Sequence, residues 1–143
     1  MSFDTLRPYF QSVMATVDPD LREWEDAFNI ENIPATILDK SWHIEFGSMV
    51  YAATTHNSCF HFACPVLLQV MVAGNRSPKE AIDTGHKLAD AILREACKAT
   101  NRLTQVSIKN VLPESVNVRS FDPTNDNIVV LEVRLNCEII LHL

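Results

Sequence analysis

Residues 77–98 read SPKEAIDTGHKLADAILREACK, and the rest of the chain arranges itself around them. Ser77, Pro78 and Glu80 give three helix-start signals. Ser77 can cap, Pro78 sits where a missing N–H costs nothing, and Glu80 can reach back as the partner of a capping box. Ala81, Ile82, Gly85, Leu88, Ala89, Ile92, Leu93 and Ala96 then recur at helical spacing as one apolar stripe. Asp83, Lys87, Asp90, Arg94 and Lys98 fall on the other side. Gly85 and the alanines keep the stripe narrow, so the helix can lie close against a flat surface. Strand-like segments precede and follow it, which predicts a helix laid on a sheet.

The closing segment supplies the clearest strand. Val129, Leu131, Val133, Leu135, Cys137, Ile139, Leu141 and Leu143 alternate at strict period two, with Glu132, Arg134, Asn136 and Glu138 between them. Residues 128–143 extended at about 3.3 Å each span roughly 50 Å, far beyond an ordinary strand. The strand is expected either to bend or to project past its own domain, where it would want a partner. Earlier in the chain, Val66, Leu68, Val70 and Val72 alternate with Leu67, Gln69 and Met71 in a strand over Cys59–Ala73, in which Pro65 marks an edge position or a bulge. Trp42, Ile44 and Phe46 alternate with His43 and Glu45, and Thr36-Ile37-Leu38 makes a further short strand. After the helix, with Asn101 as its breaker, a strand over Thr104–Val111 is interrupted by Pro113, and Val116 to Phe121 alternates again. Asp122 to Asn127 is a run of turn-forming residues, the strongest loop signal present.

At the front, Phe3, Leu6, Phe10, Val13 and Val17 repeat at helical spacing, and Asp18-Pro19-Asp20 ends that element. A short helical turn is expected across Leu21–Phe28, followed by a linker over Asn29–Pro34. Met49 to Thr55 is extended but weakly patterned, and Ala52 to Ser58 is expected to be a mobile loop or hairpin tip. The order predicts one α+β domain over residues 1–143. Its mainly antiparallel (mixed) sheet carries one long helix packed on one face and an N-terminal helix.

Composition sets further bounds. The chain has 143 residues and a formal net charge of −6, enough length for a real core without staples. Residues 1–46 hold nine acidic and three basic side chains, while the remainder balances. No basic stripe exists to release counterions from phosphates, so direct nucleic-acid binding is disfavoured. The acidic front reads as a solvated surface or as one that repels passing DNA. No apolar run reaches the roughly 20 residues of a membrane helix. Met1-Ser2-Phe3-Asp4 lacks the start of a signal peptide, so a soluble protein is expected. Cys59, Cys64, Cys97 and Cys137 form no CxxC pair and read as free thiols.

The chemical inventory is sparse. His43, His56, His61, His86 and His142 show no metal-binding spacing. Cys59 and His61 share a strand face, but such neighbours point in parallel rather than at each other, and no orienting third group is marked. Asp122–Asn127 has the oxygen-rich composition of a calcium loop without its glycine or closing glutamate. Gly47, Gly74 and Gly85 build no phosphate cradle. No catalytic residue, cofactor or metal site is assigned, which leans towards a binding or assembly role. The competing class is a small α+β enzyme or ligand-binding domain with a pocket between the main helix and the sheet near His61 and His86.

Four local patterns carry a resemblance: the opening Phe3-Asp4-Thr5-Leu6-Arg7, the Asn32-Ile33-Pro34 step into a strand, the Ser77–Lys98 helix between strands, and the Asn125-Asp126-Asn127 turn into the closing strand. In these, and in length and element order, the chain resembles the tail terminator or tail completion proteins of long-tailed bacteriophages. The resemblance implies a ring, usually of six subunits, in the virion tail and assembled in the host cytoplasm. Such a ring halts tail-tube polymerisation and offers the head-joining surface. Its implied partners are further copies of the chain, the tail-tube protein and a head-completion or connector protein. DNA passes through the lumen without specific binding, and no membrane is involved. Under it, Ala52, Thr54, Thr55, His56 and Asn57 become a candidate tail-tube contact loop. Arg119, Glu132, Arg134 and Glu138, on the long strand and its hairpin partner, become a candidate subunit interface.

Overall fold

The segment with the strictest alternation becomes the middle of the sheet. The computed structural model describes residues 5–24, 39–54, 59–73, 78–98, 107–122 and 125–142. Among them the order is α1 (Leu6–Val17), β1 (Arg22–Glu23), β2 (Ser41–Phe46), β3 (Val50–Thr54), β4 (Cys59–Ala73), α2 (Pro78–Ala96), β5 (Ile108–Asp122) and β6 (Asn125–His142). The described residues form an α+β fold, with two helices and a mixed six-stranded sheet in the order β1-β2-β4-β6-β5, β3 lying off this path. Only β1 and β2 pair in parallel. β3 pairs with β4 beyond the end of β2, so β2 and β3 occupy successive lengths of the same side of β4.

β6 does not project alone. It pairs with β4 without a register break from Cys59↔His142 to Ala73↔Ile128, and with β5 on its other side. Two neighbours of comparable length support the long strand inside its own chain. The unbroken register fixes the faces, because partners across an antiparallel pair point the same way. Cys64, Val66, Leu68 and Val70 stand beside Cys137, Leu135, Val133 and Leu131, all buried in one apolar core.

Both helices cover that face. α1 buries Leu6, Tyr9, Phe10, Val13 and Met14; α2 buries Ala81, Ala89, Ile92 and Ala96. The Tyr9 hydroxyl donates to the Ala96 carbonyl, which satisfies one of the carbonyls left open at the end of α2. The Arg7 guanidinium lies 5.7 Å from the Phe46 ring centroid, which ties α1 to β2. The narrow stripe on α2 has its expected use at Gly85. A Cβ built there meets Val118 Cγ1 at 3.2 Å and Val129 Cγ2 at 3.7 Å. The helix therefore sits with backbone against side chains of β5 and β6.

Several expectations change. Arg22–Glu23 is a strand rather than a helical turn: it pairs with Ser41 and Trp42, and the Trp24 N–H donates to the Trp42 carbonyl. The linkage is held at Lys40, whose φ of 61° is left-handed. Its N–H donates to Met71, its carbonyl accepts from Arg22, and its ammonium lies 3.1 Å from Asp18. Ala52–Thr54 belongs to a strand rather than a loop, because β4 continues past β2 and supplies it with a partner. Pro65 lies inside β4, at neither a sheet edge nor a bulge in the β4–β6 ladder. Its carbonyl accepts from the Gly47 N–H at 2.7 Å. The missing N–H thus points to the gap where β2 gives way to β3. The two segments around Pro113 form one strand with a register shift between Pro113 and Ser115. Asn125–Asn127 already lies in β6, so the turn is shorter than its composition suggests. Thr36–Leu38, the Ser77 cap and Asn101 lie outside the described residues.

The close approach at Gly85 gives a direct prediction. Gly85→Leu forces Val118 or the helix itself to move and costs about 1–3 kcal/mol. In urea unfolding this appears as a lower midpoint with an unchanged slope. Gly85→Ala gains helix propensity of about 1 kcal/mol, which offsets its tighter contact. A Leu variant as stable as the wild type would contradict this packing.

Candidate functional site

Alternation assigns the polar side chains of β6 to the face opposite α1 and α2, which carries no helix among the described residues. On that face the Arg119 Nε lies 2.8 Å from Glu132 Oε1, and Arg134 Nη2 lies 3.9 Å from Glu132 Oε2. Three of the four candidate interface residues therefore form one ion cluster within the chain. The arginine side chains remain about half exposed, at 50% and 52%. Such pairs contribute little to stability, on the order of 0–1 kcal/mol. Glu138 stands apart and accepts from the Asn110 Nδ2 at 3.1 Å.

Of the candidate tube-contact residues, Ala52 and Thr54 lie on β3, and all five β3 residues are exposed. Thr55, His56 and Asn57 lie outside the described residues. The Tyr51 hydroxyl and the Thr54 hydroxyl hydrogen-bond to each other. The Tyr51 ring meets Phe60 and Phe62 edge-on at 6.2 and 6.0 Å, in the range of favourable aromatic pairs.

The large hydrophobics exposed among the described residues are Val50 (60%), Tyr51 (54%), Leu112 (48%) and Val116 (39%). The first two lie on β3 and the other two on β5, on opposite sides of the sheet. None was identified as a candidate from the sequence. Val50 and Tyr51 follow no period that a buried face would impose, and Val116 looks like an ordinary core-facing residue until β5 is known to be the outermost strand.

The helix-free face also carries two shallow depressions. One, of ≈ 270 Å³, is lined by Ala52, Ala53, His61, Leu112, Asn136 and Glu138 among others. The Oδ1 of Asn136 is buried without a hydrogen-bond partner. The other, of ≈ 160 Å³, lies among Glu45, Pro65, Leu67, Glu114 and Arg134. His61 and His86 do not converge. His61 pairs with Ile140 on the helix-free face, whereas His86 is exposed on α2, across the sheet. A helix–sheet pocket uniting them is therefore not formed. No group of three or more His, Cys, Asp or Glu suited to a metal ion occurs among the described residues. No described helix is long and apolar enough to cross a membrane.

Cys64 and Cys137 are direct cross-strand partners, and both are buried free thiols. Burial pushes the Cys64 thiol up, and burial with the neighbouring thiols pushes Cys137 up to about 12. These positions are core rather than nucleophiles.

No protein-family model matches the chain, and no curated protein matches it. Among solved structures, it is similar to a chain from the virion of a native gene transfer agent particle. The identity is 7% and the TM-score 0.44, over 97% of this chain and 91% of that one. A likeness at this level carries no functional information.

The thiols provide a check on the core. In the folded protein at about pH 8, a thiol reagent leaves Cys64 and Cys137 unmodified, and denaturant exposes them. The folded-state pKa of Cys137 exceeds the ordinary value of 9.0, so the unfolded chain releases its proton first. Stability is retained below about 9 and falls as pH rises towards about 12. Peptide mapping that found Cys137 labelled in the folded protein as fast as a free thiol would contradict the burial.

Proposed function

We propose that this chain is a structural virion protein that assembles with copies of itself into a ring and acts as a phage tail terminator. The observation that carries the reading is the distribution of exposed apolar surface: Val50 and Tyr51 on one side of the sheet, Leu112 and Val116 on the other. Exposed apolar side chains on two sheet edges suit contacts with other chains rather than a reaction in a cleft. The element order and local patterns shared with tail terminator and tail completion proteins supply the rest. In this reading the ring has six subunits, caps the tail tube, stops its growth and presents a surface to a head-completion or connector protein. The β3–β4 hairpin is the tube-contacting element, and the acidic surplus of residues 1–46 helps DNA pass without sticking. The protein acts in the tail of the virion and is not an enzyme.

One observation favours the alternative of a ligand-binding domain: the buried, unpartnered Asn136 Oδ1 beside the larger depression. Buried polar atoms ordinarily find a partner. A donor on a small molecule could supply it, as could a group from a neighbouring chain.

Light scattering across a concentration series separates the two. The terminator reading predicts a discrete assembly near six subunits, formed by the protein alone or on addition of tail-tube protein, together with shortened tubes when it is present during tube growth. A monomer that ignores tube protein and leaves tube length unchanged would overturn it.

A further inference from the structure

We propose that the ring closes by strand addition: β3 of one copy lies beside β5 of the next, so that the sheet continues from protomer to protomer. This deepens the assembly reading above and rests on it.

The two edges match in three respects. First, they match by face. Val50 pairs with Ala63 and Leu112 with Asn136, which places both on the helix-free face; Tyr51 pairs with Phe62 and Val116 with Val133, which places both on the helix side. Each edge thus presents one exposed apolar side chain per face. A continued sheet sets like beside like, within reach as direct or diagonal neighbours. Second, they match in length. β3 has five residues. β5 offers a run free of register shifts from Ser115 to Ser120, between the shifts at Pro113/Ser115 and Ser120/Asp122. Third, their charges do not repel. β3 carries no charged residue and no proline. Lys109, Glu114, Arg119 and Asp122 on β5 balance to zero.

The occupant is a second copy of this chain, joined head to tail. A symmetric pairing of β3 with β3 would cover Val50 and Tyr51 and leave Leu112 and Val116 in water. A pairing of β5 with β5 would do the reverse, and would set three bulges and a proline against their own copies. Only the head-to-tail contact engages both edges at once, and it is the kind of contact that closes into a ring. β5 is the guarded edge, with register shifts, Pro113 and charges, which restricts the strands that can add to it. β3 has no charge or proline to repel an incoming strand.

The test uses two variants of the full-length chain. Val50→Lys with Tyr51→Lys blocks the β3 edge; Leu112→Lys with Val116→Lys blocks the β5 edge. All four positions are exposed, and circular dichroism and melting confirm that each variant stays folded. The wild type, alone or with tail-tube protein, provides the reference assembly. Each blocked variant alone is expected to be monomeric. Mixed one to one, they are expected to form a dimer of twice the 16.1 kDa protomer mass that grows no further. In that dimer the intact β5 of one variant meets the intact β3 of the other, which leaves only blocked edges free. If either folded variant alone keeps the wild-type mass, or if the mixture stays monomeric, strand addition is overturned while ring assembly stands. A variant blocked at β5 that still dimerises alone would point to symmetric β3 pairing instead. A wild type that stays monomeric even with tube protein removes the assembly reading itself, and strand addition with it.

Discussion

The rest of the structure depends on the pairing of β4 with β6. It runs from Cys59↔His142 to Ala73↔Ile128 without a register break. A shift of one residue would turn every side chain of β6 to the wrong face, placing Glu132, Arg134 and Glu138 under the helices. The register therefore determines where α1 and α2 can sit, which face is left to the charged cluster, and where the sheet must end. The buried odd-numbered residues of β6, from Val129 to Ile139, all have a relative exposure of 0%. Continuous burial on one face explains why an 18-residue strand remains in register.

A long central pair has a consequence at the sides. Because β4 outlasts β2, it leaves a length of backbone that β3 fills; because β6 is long, β5 must be long to cover it. α2 reaches β5 at Val118, yet both outer strands keep apolar side chains exposed to solvent. The chain thus has one well-packed core and two sheet edges that its described elements do not cover. An assembly protein has a use for such edges. β5 is guarded by Pro113, register shifts and charges, whereas β3 carries no such device.

The legible parts of the sequence were those where one face meets the core and the other meets water. Most of β6 and β4 and the stripe of α2 satisfy that condition, with Met71, Ile128 and Val130 buried on the opposite face as exceptions, so periodicity alone located these elements and predicted an α+β fold. β3 was not legible because none of its residues is buried, and without a buried face no period is imposed. β1 was not legible because a two-residue strand is fixed by backbone pairing to β2, which leaves no pattern in side chains. Pro65 is neither at an edge nor at a bulge, because its missing N–H falls in the gap between β2 and β3, which no local pattern encodes. The proximity of Arg119, Glu132 and Arg134 depends on the β5–β6 register, including its shifts, and no local pattern encodes those. The exposed apolar residues of β3 and β5 become informative only when both strands are known to be outermost.

The central claim is that the two sheet edges are the surfaces through which copies meet. Amide hydrogen exchange tests it most directly, comparing dilute protein with the assembled form, with tail-tube protein added where assembly requires it. The account predicts that the outward amides of Val50–Thr54 and of Ser115–Ser120 exchange freely in dilute solution. Both sets become protected together on assembly, as new inter-chain hydrogen bonds form. Assembly that left both strands exchanging at their dilute rates, with protection appearing elsewhere, would contradict the account.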